Sequence, residues 1–145
     1  MRYLVLAVGR LRPPFSDDVE HYAKMLAGHA KVDFVEVREP AQAASSPGTS
    51  QQVERRIPPR SYTVLLDVRG RTYDSVGFAR WLEERRRGGR DVCFVVGGAY
   101  GTELERCDER LSFGPMTFPH QLVRVLLVEQ LYRAHKILAR EPYHH

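Results

Sequence analysis

Residues 112–137 constrain the fold more than any other stretch of the chain. A short segment holding Gly114 and Pro115 runs into Pro119, and a strongly apolar helix follows. Leu122, Val123, Val125, Leu126, Leu127, Val128, Leu131, Ile137 and Leu138 fall on more than one face of that helix. A helix apolar on several faces has to be covered on several faces, so it runs through a domain or along a seam between subunits. Arg124, Glu129, Arg133 and His135 lie in the same stretch. Charges among buried neighbours need partners or a wet cleft. Dense burial together with placed charges marks a working surface.

The segments before it alternate between two patterns. Residues 2–9 form a short apolar run ending in glycine, which predicts a strand. Ser16 offers a helix N-cap, with Asp17 and Asp18 in the first turn and Val19, Tyr22, Ala23 and Leu26 at helical spacing. Residues 32–37 predict a second strand. Residues 40–48, rich in Ala, Ser, Pro and Gly, predict a loose crossover with a short helix over 49–56. Residues 62–68 form a third strand. Asp74 or Ser75 caps a helix with Phe78, Trp81 and Leu82 on one face, ended by Gly88 and Gly89. Residues 91–96 form a continuously apolar fourth strand, residues 102–110 a polar helix, and residues 116–118 a last short strand. Strands alternating with helices imply an α/β fold, a mostly parallel sheet flanked by helices, in a single domain over 1–145.

Composition narrows the setting. Of the 145 residues, 43% are hydrophobic, enough for a core without disulfide or metal staples. No run is long enough to span a bilayer, so no membrane partner is expected. Cys93 and Cys107 lack CxxC or metal spacing, and Cys93 packs as a small hydrophobe, which suits a reducing cytoplasm. A net charge of +4 leans only mildly toward an anionic partner.

Chemistry in such sheets gathers beyond the carboxyl ends of strands. Leu66-Asp67-Val68-Arg69-Gly70 and Val96-Gly97-Gly98-Ala99-Tyr100-Gly101 are the two suggestive ends. Glycines there let a ligand approach the backbone, or simply form tight turns. Neither a dinucleotide fingerprint nor a P-loop is present, because Gly9 leads into Arg10-Leu11-Arg12-Pro13-Pro14 and no GK[ST] occurs. The histidines show no HExxH or other ligand spacing, so no metal is expected. His120 either caps the final helix or acts in a site. Arg85, Arg86 and Arg87 read as a solvated face, whereas Arg69 and Arg71, beside a strand end, suit a phosphate.

Several motifs recur in an order that resembles one family. They are Val5-Leu6-Ala7-Val8-Gly9, Leu66-Asp67 with Gly70, Gly97-Gly98 with Gly101, and Phe118-Pro119-His120-Gln121 with Arg124. Glu129-Gln130-Leu131-Tyr132-Arg133-Ala134 and Pro142-Tyr143-His144 complete the set. Across nearly the whole chain they resemble the ribosomal RNA large subunit methyltransferase H family. Its members are small SPOUT-class enzymes that methylate N3 of a pseudouridine in helix 69 of 23S rRNA.

The resemblance implies a SPOUT fold with a C-terminal trefoil knot, S-adenosyl-L-methionine as methyl donor and a homodimer acting on 23S rRNA in the assembled ribosome. Connection rules alone dismiss a knot. The family's cofactor site falls on Leu66, Gly97, Phe113, Gly114, Pro115, Met116, Thr117 and Phe118. It also brings a C-terminal tail, of the partner subunit, to the cofactor. On that basis His144 is the expected base or proton relay and Tyr143 the positioner or stacking partner. Arg124 and Arg133 are expected to contact phosphate or stabilise the anionic base, with Glu129 anchoring an arginine. The alternatives are a SPOUT enzyme of another RNA such as tRNA, and a non-catalytic ribosome-binding module.

Overall fold

The apolar runs pair into one five-stranded sheet, and the amphipathic segments between them cover it on both sides. The computed structural model describes residues 1–145. In chain order they form β1 (Arg2–Val8), α1 (Phe15–Leu26), β2 (Lys31–Val37), a 3-10 turn (Ala43–Ser45) and α2 (Ser46–Arg56). Then follow β3 (Tyr62–Thr72), α3 (Ser75–Arg87), β4 (Val92–Val96), β5 (Glu109–Ser112) and α4 (His120–Leu138). The sheet order is β2-β1-β4-β3-β5, and every pairing is parallel.

Strand position explains strand composition. β4 lies between β1 and β3 and is buried at every residue, so it reads as an unbroken apolar run. β2 is an edge strand and keeps Lys31, Asp33 and Glu36 among its apolar residues. On one face Tyr3, Val5, Phe94 and Val96 pack beneath Leu26, Trp81, Leu82, Leu127 and Leu131 of α1, α3 and α4. On the other, Leu6, Val8, Leu65, Cys93 and Val95 pack with Val53 of α2 and Leu104. Each fully buried aliphatic side chain contributes about 1.5–3 kcal/mol of transfer free energy.

Several local expectations are corrected. Ser16 does not cap α1: Pro14 occupies that position without a side-chain cap bond. α2 begins at Ser46, earlier than residue 49, with Pro47 in its first turn, where its missing N–H costs nothing. Residues 102–110 are not helical. Their backbone N–H groups are spent outward, from Glu103 to Ser50 Oγ and from Glu105 to Glu54 Oε1 of α2, and Asp108 N–H donates to the Thr63 carbonyl. The last strand is β5, not residues 116–118. Leu111 and Ser112 are buried against β3, whereas Met116 is among the most exposed apolar residues.

β3 runs past residue 68 because it breaks and resumes. Leu66 and Arg71 both register with Leu111, so Asp67, Val68, Arg69 and Gly70 leave the ladder as a bulge. Gly70 is required there: a Cβ would stand 2.6 Å from the Arg110 carbonyl carbon. The bulge sits at the carboxyl end of the sheet and forms one lip of the cleft described next.

Candidate active site

Three strand ends meet around one cleft of about 240 Å³. β3 supplies Leu66 and its bulge, the turn after β4 supplies Gly97 and Gly98, and the segment after β5 supplies Phe113, Gly114, Met116, Thr117 and Phe118. Every residue expected to hold the cofactor borders this cleft except Pro115, which stands off its wall. Gly114 has φ +126°, a conformation open to glycine and strained for other residues, and it lets the segment turn around the cleft. Ser112 Oγ pins that turn, donating to the Gly114 carbonyl and accepting from its N–H.

The lip carries an ion network that sequence reasoning did not single out. Asp67 accepts from Arg69 N–H, from the Arg69 guanidinium at 2.9 Å and from Arg110 at 2.7 Å. These bonds, Arg69 first, hold its carboxyl far below the usual carboxylate range. Arg69 is thus committed to Asp67, with Glu103 nearby. Thr102 was likewise missed, lying within the supposed helix. Thr102 borders the cleft, and its buried Oγ1, beside Gly97, has no hydrogen-bond partner. An unpartnered buried hydroxyl beside glycine turns and apolar walls suits a ligand with polar edges. No local pattern marks such a threonine; only the return of the loop onto β4 does.

A second pocket of about 560 Å³ adjoins the first and shares Leu111, Ser112, Phe113 and Phe118 with it. His144 borders it, together with Ser75, Leu126 and Gln130. In the protomer the tail folds back on its own α4. The Tyr143 ring meets Tyr132 edge-on, with centroids 4.7 Å apart, and its hydroxyl donates to Glu129 at 3.2 Å. Arg133 lies over the Tyr143 ring, donates to Glu129 and stands 3.0 Å from His144 Nδ1. Glu129 does anchor an arginine. Burial, then the Glu129 carboxylate, pushes the Tyr143 hydroxyl up to about 12, so it stays a donor at neutral pH.

Arginine only donates, so His144 Nδ1 is the acceptor and a neutral ring carries its proton on Nε2. Arg124 is placed elsewhere. It is only 3% exposed, and its guanidinium donates to Glu36 at 2.7 Å and to the Val8 and Gly9 carbonyls at 2.8 Å. The expectation that it meets RNA phosphate is therefore corrected: it braces the end of β1 against α4. His120 opens α4 without a side-chain cap and borders the cleft. No group of three or more His, Cys, Asp or Glu side chains is placed to hold a metal ion, and no helix is long and apolar enough to cross a membrane.

A parallel sheet with a glycine-lined cleft at its carboxyl edge, closed by a segment leading into the last helix, defines an α/β protein with a candidate ligand cleft. Comparison with known proteins refines the class. A family model described as "Predicted SPOUT methyltransferase" matches residues 1–144. A relative from Gluconacetobacter diazotrophicus is 44% identical, over 97% of this chain and 95% of its own length. Another, from Pelotomaculum thermopropionicum, is 43% identical over 97% of each chain. A third, from Gemmatimonas aurantiaca, is 40% identical over 99% of each. All three are called ribosomal RNA large subunit methyltransferase H. The chain belongs to the SPOUT methyltransferase family.

Proposed function

We propose that this methyltransferase transfers a methyl group from S-adenosyl-L-methionine to N3 of a pseudouridine in helix 69 of 23S rRNA, acting on the assembled ribosome. The observation that carries this reading is the pair of adjoining pockets, one glycine-lined with an orphaned Thr102 hydroxyl, the other bordered by His144. The residues present fit the cofactor. Leu66, Met116 and Phe118 offer apolar walls to an adenine ring, and the turns at Gly97 and Gly114 bring backbone groups to its polar edges. Bound there, the cofactor supplies an electrophilic methyl group.

The chain's own residues supply placement and proton handling. The second pocket receives the target base, unstacked from its helix so that N3 is reachable. Holding two reactants aligned removes as much as about 7–11 kcal/mol of barrier in favourable cases. Tyr143 and Arg133 stand beside His144 outside the pocket's lining: Tyr143 positions the tail toward the base, and the Arg133 charge offsets the negative charge that builds as N3 loses its proton. His144 relays that proton: once its ring turns Nδ1 away from Arg133, the freed lone pair takes the proton from N3, and the imidazolium so formed releases it to solvent. Arg124 acts through the frame it braces.

Leu122, Val123 and Leu126 of α4 are only half-buried in the protomer, and covering them fits a homodimer. The family's trefoil knot completes this reading of the C-terminal third. A net charge of +4 is small for a sequence-independent RNA groove, which favours recognition of an assembled shape.

Radiolabelled methyl transfer to intact ribosomes, free large subunits, naked 23S rRNA and tRNA tests the reading. Label is expected on ribosomes and little on naked rRNA. Label on tRNA instead overturns the substrate, and absence of cofactor binding by calorimetry leaves only a binding module.

A further inference from the structure

The sequence offers Arg69 and Arg71 together as phosphate ligands, and the structure separates them. Arg69 is bonded to Asp67. Arg71, beyond the bulge, lies 4.9 Å over the Tyr73 ring and enters no ion pair. It borders a pocket of about 230 Å³ on the outer flank of α3, with Arg80, Arg85, Tyr73, Gly77 and Trp81. The two acids in its wall are already engaged: Glu84 with Arg85, and Glu109 with the Tyr73 hydroxyl. Arg80 is exposed and also enters no ion pair. The wall holds one more donor without an acceptor, Nε1–H of Trp81, a residue 5% exposed beneath the Arg85 guanidinium. Two cations without ion pairs border one pocket whose carboxylates are already engaged, and the Trp81 indole in its wall keeps an unpartnered N–H, which suits an anionic oxygen cluster.

Position decides which anion. Tyr73 is the wall between this pocket and the one bordered by His144, which itself adjoins the cofactor cleft. A strand presenting a base to the second pocket would carry its backbone past Tyr73. Aromatic rings beside unpaired arginines suit a nucleic-acid backbone. We propose that Arg71 and Arg80, over the pocket walled by Tyr73, Trp81 and Arg85, hold a backbone phosphodiester of the RNA substrate. This rests on the preceding reading and adds the place where the RNA backbone is gripped.

Trp81 is the only tryptophan, so its indole N–H gives one unambiguous resonance in nitrogen-15-labelled protein. Titration with a short single-stranded oligoribonucleotide is expected to shift that resonance saturably. The Arg71→Gln/Arg80→Gln variant is expected to lose the shift and to bind the oligonucleotide roughly tenfold more weakly. Its log–log dependence of affinity on salt should be shallower by about one, as for one lost phosphate contact. Cofactor affinity and melting temperature should be those of the wild type, and Arg87→Gln, on the same helix, should change nothing. Inorganic phosphate at equal phosphate concentration is expected to leave the resonance in place; a stronger response to it than to RNA would overturn the assignment to an RNA backbone. An unmoved resonance in the wild type, or unchanged RNA affinity in the double variant, would overturn the site itself. Because the titration needs no methyl transfer, a protein that binds RNA here yet methylates no ribosome defeats the preceding reading and spares this one. Normal KM for ribosomes in the double variant does the reverse.

Discussion

The two ends of α4 each carry an arginine bonded to a glutamate, and they serve opposite ends. At the entry end Arg124 is buried, and its partners come from β1 and β2, more than eighty residues away in sequence. At the exit end Arg133 binds Glu129 one turn earlier and meets the tail only through Tyr143 and His144. The first contact ties distant elements into one frame; the second is local and holds only the tail. Similar charge pairs can therefore brace the frame at one site and seat the tail at the other. The neighbours decide which.

Breaking the exit end should produce the largest effect, and it should be kinetic. His144→Ala is expected to lower turnover at saturating ribosomes by about a hundredfold or more, within the range of a lost acid–base group. Cofactor affinity measured by calorimetry should stay within about twofold. Near-normal turnover would remove His144 from the proton path.

Breaking the entry end should appear in folding. Arg124→Met removes the donor that the Val8 and Gly9 carbonyls share and one of the two donors to the partly exposed Glu36, a loss of about 2–3 kcal/mol, as for hydrogen bonds to a charged group. Urea unfolding measures it. Arg124→Lys should recover less than half, because one ammonium cannot span acceptors matched to a planar fork. Full recovery by lysine would mean that charge alone matters at this end.

The smallest effect sharpens the comparison within the same helix. His135 lies in the last turn of α4, beyond Arg133, 2.7 Å from the Tyr3 hydroxyl, with His29 beside it. Burial first, then His29, the N-terminus and Arg86, brings its pKa down to about 4. The unfolded chain then binds the extra proton between about pH 6.5 and 4, so stability falls as pH drops through that window and is flat above it. Discounted for the part of the ring that solvent reaches, the loss is about 1–2 kcal/mol. Melting temperatures from pH 7 to 4 should show it in the wild type and not in His135→Gln. Identical profiles would assign the acid sensitivity elsewhere.

Legibility followed the range of the interaction. The apolar runs of β1, β3 and β4 and the face of α3 could be read because period and burial are local properties of the sequence. Asp74 was readable for the same reason: its carboxylate accepts from Gly77 N–H, three residues on. Residues 102–110 misled because polar spacing resembles a helix surface, while their hydrogen bonds go to α2 and β3. Arg124 misled more deeply. A charge on an apolar helix suggests a site, and only the return of Glu36 and the β1 carbonyls reveals a strut. The two glycine-bearing strand ends were legible locally, the residues from Phe113 to Phe118 entered through the resemblance, since a backbone-lined cleft leaves little side-chain signature, and Thr102 and the ion network on Asp67 were not found at all.

The bulge after Leu66 carries one further consequence. Because Leu66 and Arg71 abut the same Leu111, the residues between them owe nothing to the register of the strands on either side. With Gly70 held by its approach to Arg110, variation at the exposed Val68 can reshape the lip of the cleft while the pairing of Tyr62 with Val92, and the core beneath it, stays as it is. The sheet thus separates what must be inherited from what is free to diversify.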